Sequence, residues 1–161
     1  MKKSVTRKEL TQDQIIKKLE SYCAYRERCE AEIIQKLYQL SIVEKEAEFY
    51  VSYLKENNFL NEERFVNAFT NGKFNIKSWG KRKIVQALQA KKIDSKKIQK
   101  SVVNIDEGMY YVRLLDLLTK KNKNLKEPDV FKRKQKLINY ALQKGYEIEL
   151  INDALTHINV A

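Results

Sequence analysis

One pattern occurs three times in this chain, and it restricts the fold more than any other feature. The segments Glu30 to Leu54, Lys81 to Ile105 and Lys134 to Ile158 superpose without a gap. Apolar residues then coincide at Ile33/Ile84/Leu137, Ile34/Val85/Ile138, Leu37/Leu88/Ala141, Ile42/Ile93/Tyr146, Ala47/Ile98/Ile151, Val51/Val102/Leu155 and Leu54/Ile105/Ile158. A polar column, Gln35/Gln86/Asn139, runs beside them. Self-similarity at a fixed offset marks a tandem repeat, whose units bury their apolar faces against their neighbours. Within each copy the apolar spacing is i, i+1, i+4, breaks at the Ile42 column, and resumes at i, i+4, i+7. Each copy therefore reads as two helices joined by a tight turn whose apolar residue plugs the corner.

A further helix precedes each pair. Thr11-Gln12-Asp13-Gln14 predicts a capping box for a helix through about Arg26. Asn61-Glu62-Glu63 opens a second, on which Phe65 and Phe69 are core candidates, and Tyr111, Leu114, Leu115 and Leu118 mark a third. Asp94 and Glu147 stand where they cap or charge the second helix of a pair, Gly145 suits a left-handed helix end, and Pro128 suits a first helical turn. One Pro and four Gly are too few for a turn-rich all-β protein. The expected fold is all-α: nine helices in three tandem three-helix, helix-turn-helix-like repeats, with an elongated outline that can curve. The repeats are placed at residues 11–58, 59–106 and 107–161, after a flexible basic arm at 1–10. Units of roughly 50 residues have little core of their own, so neighbours should share buried surface. Lys120 to Glu127, charged and weakly periodic, is the expected flexible joint.

A net charge of +11 favours an anionic partner, and its distribution says more than its total. Acidic residues outnumber lysines from Glu30 to Glu63, whereas Lys77 to Lys100 contains Asp94 as its only acid. Basic clusters recur at equivalent places in the second and third copies: Lys77, Lys81, Arg82 and Lys83, then Lys91 and Lys92, and again Lys132, Arg133, Lys134 and Lys136. Phosphate neutralisation needs many such groups along one surface, helped by N–H groups at helix N-termini; a merely solvated basic face is the bland alternative. Trp79, the only Trp, either stacks on bases or plugs a joint between units, and a lone Trp where a helix begins ordinarily packs. Arg26 and Arg28 with Tyr22 and Tyr25 form a candidate polar aromatic strip, Tyr22 toward the core and Tyr25 outward.

Catalytic chemistry is not legible. Cys23 and Cys29 lack metal-ligand spacing and read as reduced thiols, and His157 has no Ser or Cys partner in a recognisable arrangement. No phosphate loop, HExxH or EF-hand pattern occurs, so no catalytic residue, cofactor or metal is assigned and an enzyme is not expected. The basic N-terminus is not followed by an apolar run, and the expectation is a soluble, monomeric cytoplasmic protein without membrane contact.

Four stretches resemble the RecX family of bacterial recombination regulators: Tyr25-Arg26-Glu27-Arg28-Cys29-Glu30-Ala31-Glu32-Ile33, Phe59-Leu60-Asn61-Glu62-Glu63-Arg64-Phe65-Val66-Asn67-Ala68-Phe69, Trp79-Gly80-Lys81-Arg82-Lys83-Ile84 through Leu88, and Ala141-Leu142-Gln143-Lys144-Gly145-Tyr146. The second and third are the specific ones. The resemblance implies a protein that binds RecA, lodges in the groove of the RecA filament on single-stranded DNA, and suppresses ATP hydrolysis and strand exchange; some members promote RecA instead. It makes RecA and its nucleoprotein filament the expected partners, with single-stranded DNA and, as a further candidate, double-stranded DNA. On this view Gly80 admits the chain to the second unit, Trp79 packs at the joint, and Lys81, Arg82 and Lys83 face the groove, while Phe65, Phe69, Gly145 and Tyr146 are structural. Cys29 stands where a small hydroxyl residue is usual and Lys92 where Gly is typical, so the turn before Ile93 should be built differently. Two other readings compete: a DNA-binding helical regulator acting without RecA, with Gln86 and Gln89 available to base edges, and a basic protein-interaction adaptor.

Overall fold

A computed structural model describes residues 10–160, so residues 1–9 of the expected basic arm lie outside it. The described residues form nine helices: α1 (Gln12–Tyr25), α2 (Glu30–Gln39), α3 (Glu44–Glu56), α4 (Glu62–Lys77), α5 (Lys81–Ala90), α6 (Ser95–Val103), α7 (Glu107–Asn124), α8 (Val130–Lys144) and α9 (Ile148–His157). They fall into two compact units that meet inside α4, one ending at Phe65 and the other beginning at Val66.

The repeat columns become the cores. Ile33, Ile84 and Leu137 are fully buried, as are Leu37, Leu88 and Ala141, and Ala47, Ile98 and Ile151 nearly so. The polar column is exposed throughout. In the first unit Ile15, Leu19 and Cys23 of α1 pack with Ile33 and Leu37 of α2 and with Tyr50, Val51 and Leu54 of α3. Arg64 fastens the end of this unit, with its Nε 2.9 Å from Glu27 and both terminal nitrogens donating to Asn58. In the second unit an aromatic stack spans three helices: the Phe74 and Tyr110 centroids lie 5.9 Å apart, and those of Tyr110 and Tyr146 5.0 Å apart.

Helix ends obey the local chemistry, with three corrections. Thr11 and Gln14 form the expected capping box, and Asp94 accepts from Lys96 and Lys97 N–H. Pro128, however, precedes the N-cap Asp129 and lies outside α8. The turn before Ile93 is not built differently: Ser41, Lys92 and Gly145, equivalent in the three copies, have φ of 64°, 59° and 95°. In all three the next residue's N–H returns to the helix, Ile42 to Leu37, Ile93 to Leu88 and Tyr146 to Ala141. The chain accepts left-handed backbone at Ser41 and Lys92 because the corner residue is worth burying. Finally, the expected joint is largely helix. Lys120 to Asn124 complete α7, and Arg133 holds the connection to α8 by donating to the Glu127 carbonyl and to Asn122.

Candidate functional site

The second unit places the start of α5 against the end of α8, and two glycines permit it. Gly80 is the N-cap of α5, and its N–H donates to the Lys144 carbonyl at 2.7 Å while Arg82 N–H donates to the Gly145 carbonyl at 3.2 Å. Lys81 N–H donates to the Tyr110 hydroxyl at 2.9 Å, and that hydroxyl donates onward to Glu147. A Cβ on Gly80 would stand 2.2 Å from the Gly145 oxygen, and one on Gly145 2.5 Å from Lys83 N. The positive end of α5 thus meets the negative end of α8, and each satisfies the other's orphan groups. The N–H groups of Gly80, Lys81 and Arg82 are consumed within the protein, so the start of α5 offers none of them to a phosphate.

The basic triplet divides accordingly. Lys81 is mostly covered, ion-paired with Glu107 and 4.7 Å from the Tyr110 ring centre. Lys83 donates to the Gln143 carbonyl at 3.1 Å. Arg82 is exposed.

Around the corner from α4 to α5 a different set of cations gathers. Trp79 is half-buried, 6.4 Å from Phe69 in an edge-on pair, and the ammonium groups of Lys73 and Lys83 each lie 4.7 Å from its ring centre. Lys144 donates to the Lys77 carbonyl at 3.3 Å and lies 5.7 Å from the Tyr140 ring. Burial, then the like charges of Lys83 and Lys77, push the Lys144 ammonium below the ordinary lysine range. A cation held where it repels its neighbours gains most from an arriving anion. Trp79 therefore both packs and carries cations; Lys73 and Lys144 were not legible as site residues because they stand outside the dense basic runs.

The remaining sequence candidates do not join this cluster in a simple way. Arg28 is buried, its Nε donating to the Tyr22 carbonyl at 3.0 Å and its guanidinium 3.6 Å from the Tyr22 ring centre, so it braces α1 rather than facing solvent. Arg26 pairs with Glu32 at 2.7 Å, and Tyr25 is exposed. Arg133 and Lys136 are engaged by Asn122 and Glu127; the salt bridge from Lys136 holds the Glu127 carboxyl below its usual range. Lys132 is exposed and Lys134 half-buried on α8, while Lys91 and Lys92 occupy the corner from α5 to α6. Phe65 and Tyr146 are buried core residues, and Phe69 packs beside Trp79. Both cysteines are buried, and burial pushes the Cys23 thiol up to about 11. Among the described residues no group of three or more His, Cys, Asp or Glu side chains could hold a metal ion, and no helix is long and apolar enough to cross a membrane.

Comparison with known proteins adds an independent line. Residues 61–101 match the family model described as RecX, second three-helix domain, and residues 109–155 the model for RecX, third three-helix domain. The Regulatory protein RecX of Clostridium botulinum is 33% identical over 107 residues, which is 65% of this chain and 50% of that protein. Its namesake in Clostridium perfringens (strain SM101) is 29% identical over 133 residues, 81% of this chain and 62% of the relative. The alignments thus span about half to three-fifths of these relatives' length. The crystal structure of RecX from Lactobacillus salivarius superposes with a TM-score of 0.76 at 17% identity, covering 92% of this chain and 97% of that one. At that identity the likeness speaks for the fold.

Proposed function

The chain belongs to the RecX family, and on that premise we propose that it regulates a RecA recombinase, as an inhibitor acting on the RecA filament assembled on single-stranded DNA. The observation that carries this reading is the cation and aromatic cluster about Trp79, in the part of the chain that matches the family's second and third domains. Lys73, Lys77, Lys83 and Lys144 supply charge for nucleoprotein phosphates, and the half-buried indole supplies an apolar contact beside them. Arg82, Lys132 and Lys134 extend the same charge along α5 and α8.

The test is ATP hydrolysis by RecA on single-stranded DNA while this protein is titrated. Inhibition at less than one protein per RecA supports filament capping or groove blocking. No change in hydrolysis, together with binding to naked DNA that falls steeply with salt, would replace this reading with a DNA-binding regulator acting without RecA.

A further inference from the structure

A second basic feature lies on the other side of Ser78, and neither the repeat pattern nor the family reading accounts for it. The face of α7 formed by Arg113, Leu117, Lys120, Lys121 and Asn124 lines a cleft of about 210 Å³, closed by Ser78 from the α4–α5 corner and by Tyr140 from α8. These α7 positions are spaced i, i+4, i+7, i+8 and i+11, so one helical face presents them together. Three cations and the single carboxylate of Asp116 leave the lining with a net charge of +2. Lys121 holds its ammonium 4.8 Å from the Tyr140 ring, and Arg113 its guanidinium 5.6 Å from Phe74.

One buried donor of the same unit, outside the cleft lining, is uncommitted. Tyr146 is completely buried and its hydroxyl has no hydrogen-bond partner, although nearly all buried polar groups find one. Burial pushes this hydroxyl's pKa up, and the charge that opposes the shift is Arg113.

We propose that this cleft binds the phosphate of a nucleotide, either free or within a single strand, with Arg113, Lys120 and Lys121 as the cationic ligands, Ser78 and Asn124 as neutral donors, and Tyr140 as the platform for the base. A phosphate monoester carries about −1.5 to −2 charges near pH 7, which the lining's surplus balances. Arg113 brings a planar fork suited to two phosphate oxygens, and the lysines act as point charges. The half-buried Tyr140 ring offers a π surface that stacks a base with little regard to its identity, so the site selects phosphate and aromatic base rather than sequence.

The only Trp of the chain adjoins Ser78 and reports on the cleft. Trp79 fluorescence and calorimetry would be monitored on the full chain while inorganic phosphate, pyrophosphate, ATP and a short oligothymidylate are titrated separately. Saturable binding of ATP shows that the cleft takes a free nucleotide; binding of the oligothymidylate alone shows that it takes a phosphodiester in a strand. In either case Lys120→Gln with Lys121→Gln should weaken binding roughly tenfold or more without shifting the melting curve, Tyr140→Leu should weaken the nucleotide but not pyrophosphate, and Lys97→Gln should change nothing. No saturable response to any probe up to about 10 mM, or equal binding by the double lysine variant, overturns the proposal. The free-nucleotide titration uses neither RecA nor DNA, so its failure leaves the RecA reading standing, and failure of RecA inhibition leaves this site standing.

Discussion

Replacing Gly80 with Ala tests the packing of α5 on α8 directly. The φ of −75° and ψ of 164° at Gly80 suit alanine, so the backbone itself resists nothing. The added methyl would instead stand 2.2 Å from the Gly145 oxygen, 2.3 Å from its carbonyl carbon and 2.5 Å from Tyr146 N. All three are backbone atoms, and none can rotate aside. The start of α5 must withdraw, which strains or breaks the Gly80–Lys144 and Arg82–Gly145 hydrogen bonds. Overpacking of this kind costs about 1–3 kcal/mol, and each weakened hydrogen bond about 1 kcal/mol more. A loss of about 3–5 kcal/mol would lower the melting temperature of a unit this size by roughly 12–40 °C. The control is Gly72→Ala inside α4, where an added Cβ meets nothing within 4 Å; it should stabilise by about 0.5–1 kcal/mol. Urea unfolding monitored by Trp79 fluorescence measures both. If Gly80→Ala unfolds within about 0.5 kcal/mol of the parent chain, the reasoning from that close approach fails.

Other positions give further expected outcomes. Lys92→Gly should raise stability by about 0.5–1 kcal/mol by relieving a left-handed lysine, with Ser41→Gly moving the same way in thermal denaturation. Arg28→Met should cost about 1–3 kcal/mol through the lost ring contact and hydrogen bond, yet leave DNA and filament binding unchanged in anisotropy measurements. Both thiols should resist an aromatic disulfide reagent at pH 8 in the native protein and react fully in denaturant, since each is buried and the Cys23 thiol is pushed up to about 11. Lys144 has its pKa depressed in the fold; between that value and the unfolded lysine value the unfolded chain binds more protons, so this group adds stability as pH rises through that window. Lys144→Gln should flatten that rise in urea titrations at alkaline pH.

The fold was legible because three copies, offset by 51 and then 53 residues, average away what is accidental in any one of them. The Ile33/Ile84/Leu137 column is apolar in sequence for the reason that it is buried in space. The candidate site was legible only in part, because charge is visible in a sequence and its commitments are not. Arg28, Lys81 and Arg133 look alike as cations in a sequence, but one lies over a tyrosine, one is paired with Glu107 and one ties down a loop. Nothing in the spacing says that Lys144 returns to Lys77 or that Gly80 meets Gly145, since 67 and 65 residues separate those pairs. The turn at Lys92 misled for the opposite reason: a local rule about glycine yielded to the burial of Ile93 beside it.

The central claim, that the cluster about Trp79 is what engages the RecA nucleoprotein, is tested most directly by binding of RecA filaments on labelled single-stranded DNA to the parent chain and to a Lys77→Gln, Lys144→Gln variant. Both chains would be matched for helix content and unfolding midpoint. The account predicts that the variant binds at least about tenfold more weakly and with a shallower salt dependence, because two phosphate contacts are gone. Equal affinity and equal salt slope would contradict it.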